Sequence, residues 1–343
     1  MRVFVTDCEG PITRNDNAFE LCCHFIPQGE SLFKTLSRYD DYLAYVERRA
    51  GYRAGNTLKL ILPFLLAFGV DSERMFPFSL DHLDLMPRAL EVLRFIKGLM
   101  PVFVVSTSYE PYLKALSGLI PLPMDCIFCT SLRLEGLKMD PEEAERLKGL
   151  AREIASFPPF EDWQSLEFQR ALKRLDEIFF GESALEVLGR IMDRVEPVGG
   201  EAKARALREI MRRVGVGPED LMYVGDSITD REALREVRLG GGLSVAFNPN
   251  RYALEEAEVV CLSEDVSPLA VLAYLFFRGG REEVLKAVLN WNEDYLRMRG
   301  VPEEWLSEGS EVGILSSETL SLWVERSEGM RKAVRGKKVG ELG

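Results

Sequence analysis

The chain has 343 residues, of which 46% are hydrophobic and 29% charged, and its formal net charge is −12 at pH 7. This length exceeds what one simple domain needs and fits a core with insertions. The negative charge argues against general binding to nucleic acid, because phosphates repel an acidic surface. An anionic substrate would need local compensation by a metal ion and a lysine.

No hydrophobic run is long enough to span a membrane. The longest, residues 60–70, is interrupted by Pro63, whereas a spanning helix needs about 20 apolar residues. Asp7 interrupts the apolar start of the chain, so no secretory signal is predicted and we expect a cytoplasmic protein. Cys126 and Cys129 have metal or redox spacing but are predicted to be core residues of a strand. Abundant Glu, Arg and Lys with few glutamines favour a thermophilic source.

The first predicted strand, residues 2–6, runs directly into Asp7-Cys8-Glu9-Gly10-Pro11. Alternate residues of a strand point to the same side, so Asp7 and Glu9 are expected to face one pocket. Open α/β sheets bind ligands at this carboxyl edge. Neighbouring carboxylates repel and need a cation or a shared proton. One can act as a nucleophile and the other as a general acid/base, and an acidic turn without chemistry is the alternative.

Two further polar features follow along the chain. The predicted strand 102–106 ends in Ser106-Thr107-Ser108, whose hydroxyls and backbone N–H groups are suited to holding phosphate oxygens. A polar turn is the alternative. Lys203 lies on the first turn of a predicted amphipathic helix, where its charge opposes the helix dipole. This placement indicates that another group holds the lysine, and a solvated surface lysine is the alternative.

The predicted strand 221–225 ends in a second acidic motif. Asp226 and Asp230 flank a tight turn before a helix, as ligands of a hard metal do. Magnesium prefers one or two carboxylates together with water and phosphate oxygens. Asp230 alone is equally well explained as a helix N-cap. Further strands are predicted over 126–130, 243–247 and 258–262, and helical patterns separate most of the strands, which predicts a parallel sheet.

These motifs, in this order, resemble those of the phosphatase branch of the haloacid dehalogenase (HAD) superfamily over roughly residues 1–265. That family carries D-x-D after the first strand, Ser or Thr after the second, Lys before a helix, and G-D-x-x-x-D after the fourth. The matching residues here are Asp7/Glu9, Ser106, Lys203 and Asp226/Asp230. The placement of Lys203 is similar to that in phosphoserine-phosphatase-like members.

One position departs from the pattern, because Glu9 stands where most of the phosphatase branch has Asp. Enolase-phosphatase members carry a similar D-x-E-G, so the longer acid is compatible with phosphatase chemistry. The form D-C-E-G-P most resembles an archaeal group, some members of which are labelled subunit R of an energy-converting hydrogenase.

The resemblance implies an α/β fold, a HAD-type Rossmann-like doubly wound parallel sheet with helical cap insertions and a central first strand beside the second and fourth. It also implies that Asp7 forms an aspartyl-phosphate and that Glu9 is the acid/base. The implied site residues fall into three groups: catalytic Asp7, Glu9 and Lys203; phosphate-binding Ser106, Thr107 and Lys203; and the Mg²⁺ ligands Asp7, Glu9 through its backbone carbonyl, Asp226 and, in support, Asp230.

The predicted domains are a Rossmann-like core (1–13, 86–136 and 199–265), a helical cap (14–85), a second helical insertion (137–198) and a C-terminal helical extension (266–343). The two insertions fall where the family places its two cap types, and the sequence does not tell which one covers the site. The basic run 330–338 is expected to be a solvated tail, with a surface for an anionic partner as the alternative.

The predicted function is that of a magnesium-dependent phosphohydrolase acting on a small phosphorylated metabolite, without nucleic acid. Two alternatives stay open: an accessory subunit of a hydrogenase complex and a phosphotransferase using the same intermediate. An oligomer also stays open. The substrate is not predicted, because the caps set it and their sequence carries no readable code.

Overall fold

The computed structural model describes residues 1–158, 163–182, 184–306 and 309–340. Its strands are β1 (Val3–Thr6), β2 (Val102–Tyr109), β3 (Ile127–Thr130), β4 (Leu221–Gly225), β5 (Leu243–Phe247), β6 (Val259–Leu262) and β7 (Glu311–Ile314). Its α-helices are α1 (Asn17–Phe25), α2 (Gly29–Asp41), α3 (Thr57–Ala67), α4 (Ser72–Asp81), α5 (Ala89–Leu99), α6 (Glu110–Ser117), α7 (Pro141–Ala155), α8 (Leu166–Phe180), α9 (Glu186–Met192), α10 (Glu201–Val214), α11 (Arg231–Leu239), α12 (Arg251–Glu256), α13 (Ser267–Val288), α14 (Glu293–Met298) and α15 (Leu320–Gly340). None of these helices is both long and apolar enough to cross a membrane.

The strands form one sheet in the order β3-β2-β1-β4-β5-β6-β7. All neighbours pair in parallel except β6 and β7. Every residue of β1, β4 and β5 is buried, as expected of strands that helices cover on both faces. The predicted α/β class with a doubly wound parallel sheet is therefore confirmed, and so is the central position of β1 between β2 and β4.

The C-terminal extension contains a strand that the sequence analysis did not predict. The extension 266–343 is predicted to be helical, but β7 pairs antiparallel with β6, with Gly313 opposite Val260. Only a residue without a side chain fits there, because a Cβ on Gly313 would lie 2.3 Å from the Trp323 ring of α15. The pairing covers the open edge of β6, which would otherwise expose unpaired backbone groups.

The two predicted insertions pack against each other. Their helices α1 to α4 and α7 to α9 contribute to one hydrophobic cluster, distinct from the clusters on the faces of the sheet. Arg49 of the first insertion also donates to Asp176 of the second at 2.8 Å. This arrangement supports the proposed division into a core and caps.

The basic run near the C-terminus is not simply a solvated tail, so that expectation is wrong for two of its residues. Arg331 is 3% exposed and the Arg335 side chain 7%, and both lie at the carboxyl edge of the sheet. They are four residues apart and therefore share one face of α15. Lys332 and Lys337 are exposed, and the Lys338 side chain lies outside the description. Both arginines donate hydrogen bonds to Asp226 at the sheet edge, and these contacts stabilise their burial.

Candidate active site

The carboxyl ends of β1, β2 and β4 surround a cavity of about 110 Å³. The core contributes acids and hydroxyl residues to its wall, and the first insertion closes it from the other side. The lining residues from the core and from α15 are Asp7, Glu9, Thr107, Ser108, Asp226, Ser227, Ile228, Thr229, Arg331 and Arg335. The structure thus brings together residues that the sequence separates by more than 300 positions.

Lys203 lies beneath the cavity between two of the predicted acids. Its Nζ donates to Asp7 Oδ2 at 2.6 Å and to Asp230 Oδ1 at 2.7 Å, and the side chain is fully buried. Although burial acts to lower the pKa of Lys203, the two carboxylates raise it above its ordinary value. The geometry therefore identifies the groups that hold this lysine on the first turn of α10 against the helix dipole.

The two carboxylates beside Lys203 have different electrostatic surroundings. Burial, reinforced by Asp230 and Asp226, raises the pKa of Asp7 to about 8, and Lys203 opposes this shift. Burial acts in the same direction on Asp230, but Lys203 and hydrogen bonds, including one from Tyr223, lower its pKa overall. Asp230 thus retains the negative charge opposite the shared ammonium. Additional positive charge would therefore favour the ionised form of Asp7 more than that of Asp230.

Asp230 is engaged by its own loop on both oxygens. Oδ1 accepts from the Tyr223 hydroxyl at 2.6 Å in addition to Lys203. Oδ2 accepts from the backbone N–H groups of Asp226 at 3.1 Å and Ser227 at 3.0 Å. These contacts fix the turn after β4, which supports the predicted secondary role of Asp230 beside a metal rather than that of an open ligand.

Asp7, Asp226 and Asp230 each offer a carboxylate oxygen, and the three oxygens lie within 4.8 Å of one another. Gly10, with φ of +103°, passes close to this group, and a Cβ there would lie 2.6 Å from Asp226 Cγ. The left-handed conformation and this close approach both require glycine. An all-oxygen donor set of buried acids suits Mg²⁺, which takes carboxylate, water and phosphate oxygens. The residues present therefore fit the predicted metal.

Glu9 lines the cavity next to Asp7. Its Oε1 accepts from the backbone N–H of Asn17 at 2.9 Å, so the start of α1 holds the carboxyl group. Desolvation, followed by the negative charge of Asp16, raises the pKa of Glu9 well above its usual value, while Arg335 opposes the shift. A raised pKa favours the protonated form, which can donate its proton to a leaving group.

The hydroxyl residues at the end of β2 are placed differently from one another. Thr107 and Ser108 line the cavity, whereas the buried Ser106 accepts a hydrogen bond from the Ser108 N–H at 3.2 Å. The Thr107 hydroxyl donates to Val198 O at 3.0 Å. Ser108 Oγ is buried and has no hydrogen-bond partner among the described residues. The structure thus adds Ser108 to the candidate phosphate-binding residues, while the role of Ser106 stays a prediction.

The first insertion closes the cavity. Its lining residues are Asp16, Ala18, Phe33, Ser37, Asp40, Asp41, Gly55, Thr57 and Leu58, and no described residue of 137–198 lines it. A Cβ on Gly55 would lie 3.2 Å from Thr107 and 3.3 Å from Gly199, so the cap loop rests directly on the core. The sequence analysis missed Asp40 and Asp41, because an acidic pair within a helix has no signal that distinguishes it from a solvated face.

Comparisons with known proteins include a match over the whole chain and matches over parts of it. No family model matches the chain. A structure of a gene product from Archaeoglobus fulgidus is 29% identical, with a TM-score of 0.84, and the match covers 100% of this chain and 99% of that one. A phosphoserine phosphatase of Archaeoglobus fulgidus is 32% identical over 99 residues, which are 28% of this chain and 27% of that protein.

A solved phosphoserine phosphatase in its apo form is 14% identical, with a TM-score of 0.43, over 78% of this chain and 96% of that one. The chain spans about a quarter of the length of the curated Archaeoglobus fulgidus phosphoserine phosphatase that it matches. The partial sequence match supports the predicted resemblance to HAD-type phosphoserine phosphatases. The grouping with hydrogenase subunit R stays a prediction. The whole-chain match shows that this architecture, including the C-terminal extension, is shared with an archaeal protein.

Proposed function

We propose that the protein is a magnesium-dependent phosphohydrolase that cleaves a small phosphomonoester through an aspartyl-phosphate on Asp7. The observation that carries the proposal is the buried contact of Lys203 with both Asp7 and Asp230 below the cavity, at 2.6 and 2.7 Å. The partial identity to a phosphoserine phosphatase supports the same chemistry.

In the first step, the ionised Asp7 attacks phosphorus through a carboxylate oxygen, and the bond between phosphorus and the ester oxygen breaks. Lys203 and a bound Mg²⁺ would stabilise this ionised form against the effect of burial. Glu9 donates its proton to the ester oxygen, which leaves as an alcohol. The raised pKa of Glu9 suits this role, because it favours the protonated form that can act as an acid. Lys203 compensates negative charge on Asp7 and on the incoming phosphoryl group.

In the second step, a water molecule attacks phosphorus of the aspartyl-phosphate. Glu9, now ionised, accepts a proton from the water, and the bond between phosphorus and the Asp7 oxygen breaks. Inorganic phosphate leaves, and both carboxyl groups return to their starting states. Ser108 Oγ, which is buried and free of described partners, is suited to hold a phosphoryl oxygen in both steps.

Asp7 and Asp226 would hold Mg²⁺, together with the predicted backbone carbonyl of Glu9 and with Asp230 as support for the loop. When bound, Mg²⁺ would neutralise phosphoryl charge and orient the group for in-line attack. The cavity of about 110 Å³ favours a substrate with a small alcohol part. A bulky phosphorylated macromolecule would require the first insertion to open.

The test is turnover by the purified full-length chain against a panel of phosphorylated metabolites, with Mg²⁺ and with EDTA. We expect phosphate release that depends on Mg²⁺ for at least one small phosphomonoester. Asp7→Asn should abolish it, because the nucleophile is lost. Asp81→Asn, at an exposed position at the end of α4, is the matched control and should retain wild-type activity.

A direct observation of the intermediate strengthens the test. Acid quench during turnover followed by mass spectrometry should place one phosphoryl group on the peptide that contains Asp7. Metal-dependent phosphate release that persists in Asp7→Asn would contradict the covalent route. Transfer of the phosphoryl group to an added alcohol in preference to water would favour a phosphotransferase.

A further inference from the structure

The C-terminal helix α15 reaches the candidate active site from outside the region of resemblance. Its Met330 packs against the cluster of Leu254, Val260 and Leu262 on the core, while Val339 packs against the cluster of the insertions. The helix therefore crosses from the core to the caps beside the cavity. Arg331 and Arg335 lie on the stretch between these two contacts and line the cavity.

Both arginines bind the same carboxylate oxygen. Arg331 Nη1 donates to Asp226 Oδ2 at 2.8 Å, and Arg335 Nη1 donates to it at 3.1 Å. The side chains of Arg331 and Arg335 are 3% and 7% exposed, and that of Asp226 is 2% exposed. Ion pairs at such depth are weakly screened by solvent, so each guanidinium has a strong effect on the carboxylate.

The same guanidinium groups hold the backbone around the site. Arg331 also donates to the carbonyl oxygens of Asp226 at 3.2 Å and of Asn248 at 3.0 Å. Arg335 donates to the carbonyl oxygens of Arg14 at 2.9 Å and of Asn15 at 3.2 Å. These acceptors belong to the segments that follow β1, β4 and β5. The two side chains therefore connect α15 to three loops at the carboxyl edge of the sheet.

The two carboxylate oxygens of Asp226 therefore have different surroundings. Oδ2 accepts from both guanidinium groups, whereas Oδ1 accepts from none of the described residues, which leaves Oδ1 as the oxygen for a metal ion. Groups that hold a metal-binding carboxylate from behind set its orientation, and their removal typically weakens metal binding by about 10- to 100-fold. The donors of Arg335 point at protein acceptors, so a positioning role describes them better than contact with a substrate.

We propose that Arg331 and Arg335 are positioning residues for Asp226, so that the C-terminal extension forms part of the metal site. The inference rests on the proposed function for the identity of the cation. It goes beyond that function in giving a role to α15, which the motifs of residues 1–265 do not include.

The test is the dissociation constant for Mg²⁺, measured by calorimetry on the full-length chain without substrate. Arg335→Gln and Arg331→Gln should each weaken binding by about 10-fold or more. Arg326→Gln is the matched control, since Arg326 lies on the same helix but pairs with Glu311 at the exposed surface. Melting temperatures should be recorded for all variants, so that a folding defect is recognised.

If a glutamine variant does not fold, Arg335→Lys is measured in its place. Lysine keeps the charge but lacks the planar fork that reaches Asp226, Arg14 and Asn15 together, so we expect weaker Mg²⁺ binding here as well. Binding as tight as in Arg326→Gln, or tighter, would overturn the inference and make the arginines counter-charges that compete with the cation. Absence of Mg²⁺ binding in the wild-type chain would also overturn it. If the variants bind Mg²⁺ more weakly but the wild type hydrolyses no phosphomonoester, the proposed function fails and the inference stands.

Discussion

The Lys203 ammonium donates to Asp7 Oδ2 at 2.6 Å across 196 positions of sequence. This contact joins the first turn of α10 to the end of β1, and Asp230 completes it at 2.7 Å on the other side. Because the three groups are buried, each is electrostatically dependent on the other two. The charge of the lysine is therefore a structural requirement as well as a candidate catalytic one.

Lys203→Met should lower the free energy of unfolding by about 3–5 kcal/mol, because it leaves buried carboxylates without a counter-charge. Urea denaturation measures this change. Adding Asp230→Asn to Lys203→Met should restore part of the loss, since one of the uncompensated charges is then removed. Lys34→Met is the control: Lys34 pairs with Glu30 at 3.0 Å on a partly exposed helix face, and its loss should cost less than about 1 kcal/mol. Equal losses of unfolding free energy in Lys203→Met and Lys34→Met would show that the buried contacts of Lys203 stabilise the fold no more than an exposed ion pair does.

The hydroxyl that holds phosphate can be assigned by comparing two serines of one strand. Ser108→Ala should raise KM about 10-fold, in line with the loss of a hydrogen bond to a charged group. Ser106→Ala should change KM less, because Ser106 does not line the cavity whereas Ser108 does. Inhibition by inorganic phosphate, measured for both variants, separates binding from turnover. A larger effect of Ser106→Ala would instead support the role that the family resemblance gives to Ser106.

The sheet and the acids at its edge were predictable from sequence for a physical reason. Buried parallel strands need continuous apolar runs, and the carboxyl end of each run marks where a polar side chain enters the site. Asp7 and Asp226 could therefore be placed at one edge of the sheet from the sequence. In both cases the signal is local, since the strand and its polar end are adjacent in the chain. Lys203 lies on a helix, and its place beside these acids came from the family resemblance.

Arg331, Arg335 and β7 could not be predicted in the same way. A basic run on a helix has the same sequence whether it is solvated or buried against acids. Only the position at which α15 packs on the rest of the chain decides between the two. β7 is four residues long, and its side chains are half-buried or exposed, so it lacks the hydrophobic alternation that marks a strand. Its pairing depends on β6, about 50 positions earlier.

Asp41 of the predicted cap 14–85 should make stability depend on pH. Burial, reinforced by the charge of Asp40 and opposed by Arg38, raises the pKa of Asp41 from 3.8 to about 8. The folded state then binds the proton more tightly than the unfolded state does, so stability falls as pH rises from about 4 to about 8. Asp41→Asn should remove this contribution and raise the melting temperature relative to wild type at pH 8, with little difference at pH 4.

The control for this prediction is Asp193→Asn, at an exposed position after α9. Melting curves for wild type and both variants at several pH values provide the measurement. A constant difference between Asp41→Asn and wild type over the whole pH range would contradict the raised pKa of Asp41. The Asp193 variant should follow the wild-type curve throughout.

Glu9 is the residue where the chain departs from the motif pattern that it otherwise resembles, and leaving-group dependence tests its role. If Glu9 protonates the leaving oxygen, Glu9→Gln should slow alkyl phosphates much more than nitrophenyl phosphate, because nitrophenolate leaves without a proton. The loss for alkyl substrates should be about 10²- to 10⁴-fold, the usual contribution of general acid–base catalysis. Glutamine keeps the shape of the side chain and an oxygen that can accept from Asn17 N, so the melting temperature should change little. Breakdown of the aspartyl-phosphate should also slow, since the attacking water loses its base. With nitrophenyl phosphate, whose first step needs no acid, acid quench should then trap more phosphorylated Asp7 than in wild type. An equal loss for both substrate types with no trapped intermediate would make Glu9 a structural carboxylate and move the search for the acid/base to the cap acids Asp40 and Asp41.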